Sequence, residues 1–96
     1  MQEKVDRHKA LCDELNQLYD KKNHDYGDSF HETFIAEGMA MSRIRLMDKL
    51  NRFKKLSKNN DGGMVQDESI RDTLLDLANY ALMTVLEMEE IKRGIE

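Results

Sequence analysis

No proline interrupts these 96 residues, and that continuity restricts the fold more than any motif does. Proline ends helices by removing a backbone donor and clashing with the preceding turn. Without it, long helices are open wherever apolar residues recur three and four apart, and they do so in three stretches. Val5, His8, Leu11, Cys12, Leu15, Leu18 and Tyr19 share one face of the first, with charged and amide residues between them. Leu46, Leu50 and Phe53, with Met39 and Met47 near them, make the stripe of the second. Ile70, Leu74, Leu77, Ala78, Ala81, Val85 and Met88 make that of the third, with Leu75, Leu82 and Leu86 as a further strip. The spacing predicts a single all-α domain over residues 1–96, a small bundle of three main helices at about 3–22, 39–57 and 67–93.

The connections follow from turn chemistry. Asn23-His24-Asp25-Tyr26-Gly27-Asp28-Ser29 reads as a loop, because Asn, Asp and Ser bond locally to the backbone and Gly27 can take a positive φ. Residues 30–38 read as a short helical turn, with Gly38 as a hinge or the start of the next helix. Lys58-Asn59-Asn60-Asp61-Gly62-Gly63 is a stop signal, and Asp67 is placed to cap the last helix. That helix carries more apolar surface than two short partners can cover, so a homo-oligomer is expected.

A chain this short buries only roughly 60–70% of its unfolded surface, which makes the same point about assembly. The net charge of −4 argues against general nucleic-acid binding, which needs a basic excess. Cys12 is alone, so neither an internal disulfide nor a cysteine zinc site is available, and a reducing compartment is the simplest reading. No apolar run approaches the roughly 20 residues that span a bilayer. The charged start of the chain, Met-Gln-Glu-Lys-Val-Asp-Arg, lacks the apolar core of a signal peptide. The expectation is a cytoplasmic protein without membrane attachment.

Two charged rows carry the chemistry. Glu68, Asp72 and Asp76, followed by Asn79, stand four, four and three apart on one face of the last helix, close to Met83 and Leu86. Carboxylates among apolar neighbours need a cation, a basic partner or a ligand. Glu68, Asp72 and Asp76 have the hard oxygens that magnesium takes beside substrate phosphates, and Asn79 has donor and acceptor groups for a base or sugar. A polar layer that fixes helix register is the alternative. On the middle helix Arg45, Lys49 and Arg52 also share a face and suit a polyphosphate. The alternative there is a solvated surface, or ion pairs with Asp72 and Asp76. Asp25 and Tyr26 either contact a ligand from outside the bundle or simply make the turn. His8 is a packing residue or a ligand. Glu87, Glu89 and Glu90 read as solvated, and the seven methionines as core filler. No Ser-His-Asp, Gly-rich phosphate loop or His-Glu-x-x-His pattern appears.

Taken in order, Tyr19 and Lys21, Asp25-Tyr26-Gly27 with Ser29-Phe30, then Arg45, Asp48-Lys49 and Arg52, then Glu68-Ser69-Ile70, Asp72-Thr73-Leu74 and Asp76-Leu77-Ala78-Asn79-Tyr80-Ala81 resemble a phage-associated family, the nucleotide modification associated domain of the first type. The resemblance runs from about Tyr19 to about Met83, and the last block is its most specific part. It implies a nucleotide ligand and, for a phage protein, the host cytoplasm. A looser likeness is to MazG-like and dUTPase-type all-α pyrophosphohydrolases, which hold magnesium with a Glu-x-x-Glu pair and a later Glu-x-x-Asp pair. Here the later acids stand four apart, and the earlier pair is missing, which leaves Asp25-x-x-Asp28 or Asp48 to substitute. Three functions are therefore open: magnesium-dependent hydrolysis of a nucleoside triphosphate, nucleotide binding without catalysis, or a helical module that modulates a host or phage protein.

Overall fold

The computed structural model describes residues 1–26, 28–58 and 64–94, and the side chains of these apart from 25, 26 and 64–66. Among the described residues every element is a helix: α1 Gln2–Tyr26, α2 Ser29–Glu37, α3 Met39–Lys58 and α4 Met64–Lys92. The all-α expectation holds, but there are four helices rather than three. None of them is long and apolar enough to cross a membrane.

Three boundaries differ from the sequence reading. α1 runs through Asn23-His24-Asp25 to Tyr26 instead of stopping near Lys22. Local turn propensity loses there to tertiary contact, because Lys22 is tied to α4, and His24 in the last turn faces the negative end of the helix dipole. Of the expected loop, Gly27 lies outside the described residues. Residues 30–38 are not one turn but a helix of nine residues, α2, anchored by Phe34, which is only 3% exposed. α4 begins at Met64, so Asp67 sits in its first turn rather than at its cap, a position equally favoured for an acid. Residues 59–63 of the expected stop signal lie outside the described residues.

Gly38 separates α2 from α3. Its φ of +69° is a left-handed conformation that side chains resist, and its N–H donates to the Phe34 carbonyl at 2.7 Å. The chain thereby turns sharply and lays α2 over the start of α3.

α3 and α4 form an antiparallel hairpin joined by polar rungs. Thr84 Oγ1 lies 2.9 Å from Ser42 Oγ, a Lys49 ammonium lies 3.1 Å from Asp76, and Arg52 Nε donates to Thr73 Oγ1 at 3.2 Å. Thr73 in turn donates to the Ser69 carbonyl, so its hydroxyl is satisfied on both sides. Buried apolar residues are scarce: Phe34 and Met41 among the described residues.

The phase of the packing differs from the apolar stripes. On α3 the buried residues are Met41 and Ser42, Leu46 and Phe53 are half-buried, and Met39 and Met47 are exposed. On α4 Thr73 and Glu87 are buried, while Leu74, Ala81, Val85 and Met88 are exposed. Residues 1–13 are exposed throughout, including Val5, His8, Leu11 and Cys12 of α1; His8 Nδ1 lies 3.7 Å from the Cys12 sulfur. The radius of gyration of 15.3 Å exceeds the roughly 12.5 Å of an ordinary domain of this length.

Phe34 is the one large side chain of α2 that is fully sheltered. Phe34→Ala is expected to cost about 3 kcal/mol in denaturant unfolding followed by circular dichroism, whereas its exposed neighbour Ile35 should tolerate alanine with a change below about 0.5 kcal/mol.

Candidate functional site

Asp76 is the centre of the site, and its two oxygens are taken by two different helices. Lys22 of α1 approaches Oδ1 at 3.2 Å, and Lys49 of α3 approaches Oδ2 at 3.1 Å. The acid and basic rows therefore do meet, as one of the sequence alternatives required. Of the expected row it is Lys49 that pairs, with Asp76; the second partner, Lys22 of α1, was not expected, and Arg45, Arg52 and Asp72 take no part in the bridge. Arg52 is spent on Thr73, and Arg45 is left with an exposed side chain facing a cleft.

That cleft, about 440 Å³, opens between all four helices and is of a size that holds small ligands. α1 lines it with Tyr19, Lys22 and Asn23, α2 with Ser29, Phe30 and Thr33, α3 with Met41 and Arg45, and α4 with Asp76, Asn79, Tyr80 and Met83. Phe30 and Tyr80 touch, with ring centroids 5.9 Å apart. Asn79 faces the cleft, but its amide nitrogen is already given to the Leu15 carbonyl at 3.1 Å, which pins α1 to α4. A second clamp lies further along, where Arg71 grips Glu14 through two hydrogen bonds of 2.9 and 2.7 Å. That bridge raises the Arg71 pKa and lowers that of Glu14, in each case chiefly through the hydrogen bond between them.

Of the residues singled out in the sequence, Arg45, Asp76 and Asn79 line the cleft, Lys49 reaches it through Asp76, and Arg52 does not line it. Glu68 and Asp72 are exposed and stand outside it. The side chains of Asp25 and Tyr26 lie outside the described residues. Among the described residues no three His, Cys, Asp or Glu side chains converge in the manner of a metal site. A divalent cation at Asp76 would have to displace an ammonium from each oxygen. The residues as they stand fit a three-helix ion bridge better than a magnesium centre held by Glu68, Asp72 and Asp76.

Lys22, Phe30 and Tyr80, which line the cleft, had no site role in the sequence reading, and the surroundings of Glu87 and Tyr19 were missed there too. Glu87, expected in solvent, is buried, and its Oε1 lies 2.5 Å from His31 Nδ1 of α2. Asp76, Tyr80, Met83 and Glu87 stand four, three and four apart, so Glu87 continues the packed face of α4, the signal that could have exposed it. Leu86, placed on that face in the sequence, points outward. The phenol of Tyr19 is pushed above the ordinary tyrosine value, first by burial and then by the charges of Asp28, Glu87 and Glu90.

The family model described as nucleotide modification associated domain 1 matches residues 22–88. The chain belongs to this family. No curated protein and no solved structure matches it. The nucleotide modification associated domain begins at the lysine that holds Asp76, and it takes in every lining residue of the cleft except Tyr19.

Because Asp76 is held by two cations, Asp76→Asn should lower stability by about 1 kcal/mol in denaturant titrations; a crowded, repulsive acid site would instead be stabilised by the change. A second expectation concerns Tyr19. Its folded pKa lies above its unfolded value of about 10, so the associated stability is whole below that value and is lost as pH rises through the folded pKa. Unfolding curves collected from neutral pH to about 11 should show a smaller alkaline loss for Tyr19→Phe than for the parent chain.

Proposed function

We propose that the cleft binds a nucleotide. The observation that carries this reading is the meeting of two kinds of group in one cavity. The ammonium of Lys22 and the guanidinium of Arg45 offer charge to phosphates, while the rings of Tyr19, Phe30 and Tyr80 offer an apolar, stackable wall to a base. Asn79 and Asp76 supply polar edges between them. Membership of a family named for nucleotide modification supports the same ligand class.

Binding is better supported than hydrolysis. Asp76 is neutralised by lysines, and Glu68 and Asp72 are exposed outside the cleft, so no acid set stands ready for a resident magnesium among the described residues. Magnesium enters this reading only as the companion of a polyphosphate. Phosphate binding would draw Lys22 and Lys49 from Asp76, so the ion bridge serves as a stand-in that keeps the cations in place. The competing reading, a helical module that acts on another protein, draws on the same bridge, since paired charges also do structural service.

Calorimetric titration with nucleoside mono-, di- and triphosphates, with and without magnesium, separates these readings. Binding of at least one nucleotide is expected, weakened about tenfold or more, or roughly 1.4 kcal/mol, by Arg45→Ala and by Lys22→Ala. Absence of heat with every nucleotide at millimolar concentration, from a chain whose helicity is intact, overturns the proposal. Release of phosphate or pyrophosphate from a bound triphosphate would add catalysis to it.

A further inference from the structure

The α3–α4 hairpin has two faces. One carries Asp76, Met83, Met41 and Arg45 and is roofed by α1 and α2 around the cleft. The other is left exposed by the described residues. On α4, Ala81 and Val85 lie roughly 140–180° around the helix from Asp76 and Met83. They belong to the row Leu74, Ala78, Ala81, Val85, Met88, spaced four, three, four and three, the period with which a helix presents one unbroken strip to a partner. No charge interrupts it. Val85 is 50% exposed, Met88 49% and Leu74 41%. On α3, Met39 and Leu50 are exposed as well, and helical geometry sets them roughly 120–180° around the axis from Met41 and Arg45.

We propose that two copies of this chain stack these uncovered hairpin faces against one another and complete a four-helix bundle. The area is of the right size. The single chain exposes 7581 Å², against about 5,700 Å² for an ordinary folded monomer of its 11.3 kDa, a surplus of about 1,900 Å². Obligate homodimers bury roughly 1,000–2,500 Å² on each chain. The hairpin face contributes to that surplus, as do the first half of α1, with residues 1–13 exposed, and Ile35, Ile44 and Met47 elsewhere.

The occupant is a second copy because the need is constant. Phe34 and Met41 are the buried apolar residues of the single chain, among those described, too few to hold four helices together. Whatever covers the strip must be present whenever the chain folds, and another copy of the chain always is. The cleft lies on the opposite face, so it stays open in the dimer, and assembly does not depend on what the cleft binds.

Light scattering behind size exclusion, run on the full chain at a series of micromolar concentrations, should return twice 11.3 kDa. Leu50→Glu with Val85→Glu should raise the dissociation constant at least tenfold or leave an unfolded chain. Because loss of folding would hide the interface, a milder reporter runs beside that pair: Val85→Cys in a Cys12→Ser background. The introduced thiol should react with a disulfide reagent at least tenfold more slowly at high protein concentration than after dilution. A helical monomer at high concentration would leave the strip to a different protein and overturn the proposal. So would a dimer untouched by the double substitution, or an introduced thiol that reacts equally fast at every concentration.

Discussion

Asp76 is the joint on which the other contacts depend. One carboxylate takes an ammonium from α1 on one oxygen and an ammonium from α3 on the other. Half-exposed ion pairs of this kind contribute modestly to stability, so the value of the bridge is geometric. It sets how far around α4 each neighbour sits. With α3 in that position, Ser42 meets Thr84 and Arg52 meets Thr73. With α1 in that position, Leu15 meets Asn79 and Glu14 meets Arg71. A hairpin joined by polar rungs cannot slide without leaving donors and acceptors unpaired, whereas an apolar strip tolerates a shift.

The same joint explains the distribution of apolar surface. The face of α4 committed to Asp76, Thr73, Thr84 and Glu87 is turned inward, so the more apolar face is turned out. Inside, the aromatic residues Tyr19, Phe30 and Tyr80 gather with Lys22 and Arg45 around the cleft proposed to take a nucleotide. Outside, the strip from Leu74 to Met88 is left for the proposed second copy. A polar interior on one side and an apolar exterior on the other are two consequences of one choice of helix phase.

Much of the architecture is legible in the sequence, and the departures have identifiable causes. Periodicity locates the long helices because amphipathic spacing persists wherever a helix has one dry side. It does not say which neighbour makes that side dry. Leu74, Val85 and Met88 read as the core of the chain, yet they are exposed in it. Asn23 to Tyr26 read as a loop because turn propensity is local, while the contact that extends α1 comes from Asp76, far away in sequence. Charge rows predict that α3 and α4 oppose acid to base. They do not distinguish Lys49 from Arg45 as the partner, since that depends on how each helix is rotated about its axis. The acidic neighbours of Glu87 point it to solvent, and the contact with His31 on another helix makes its burial tolerable.

By itself, the sequence determined that this chain is helical, where its long helices run, and that acids and bases would share the middle of the last two. These are properties of neighbours within about four residues, and short-range sterics and periodicity decide them. Only the tertiary structure decided which face of each helix turns inward, that Asp76 is bridged by two lysines, and that three aromatic rings border the same cleft as two cations. Those outcomes are set by pairings between residues far apart along the chain. Their energies differ by little from the alternatives until every donor has found its acceptor.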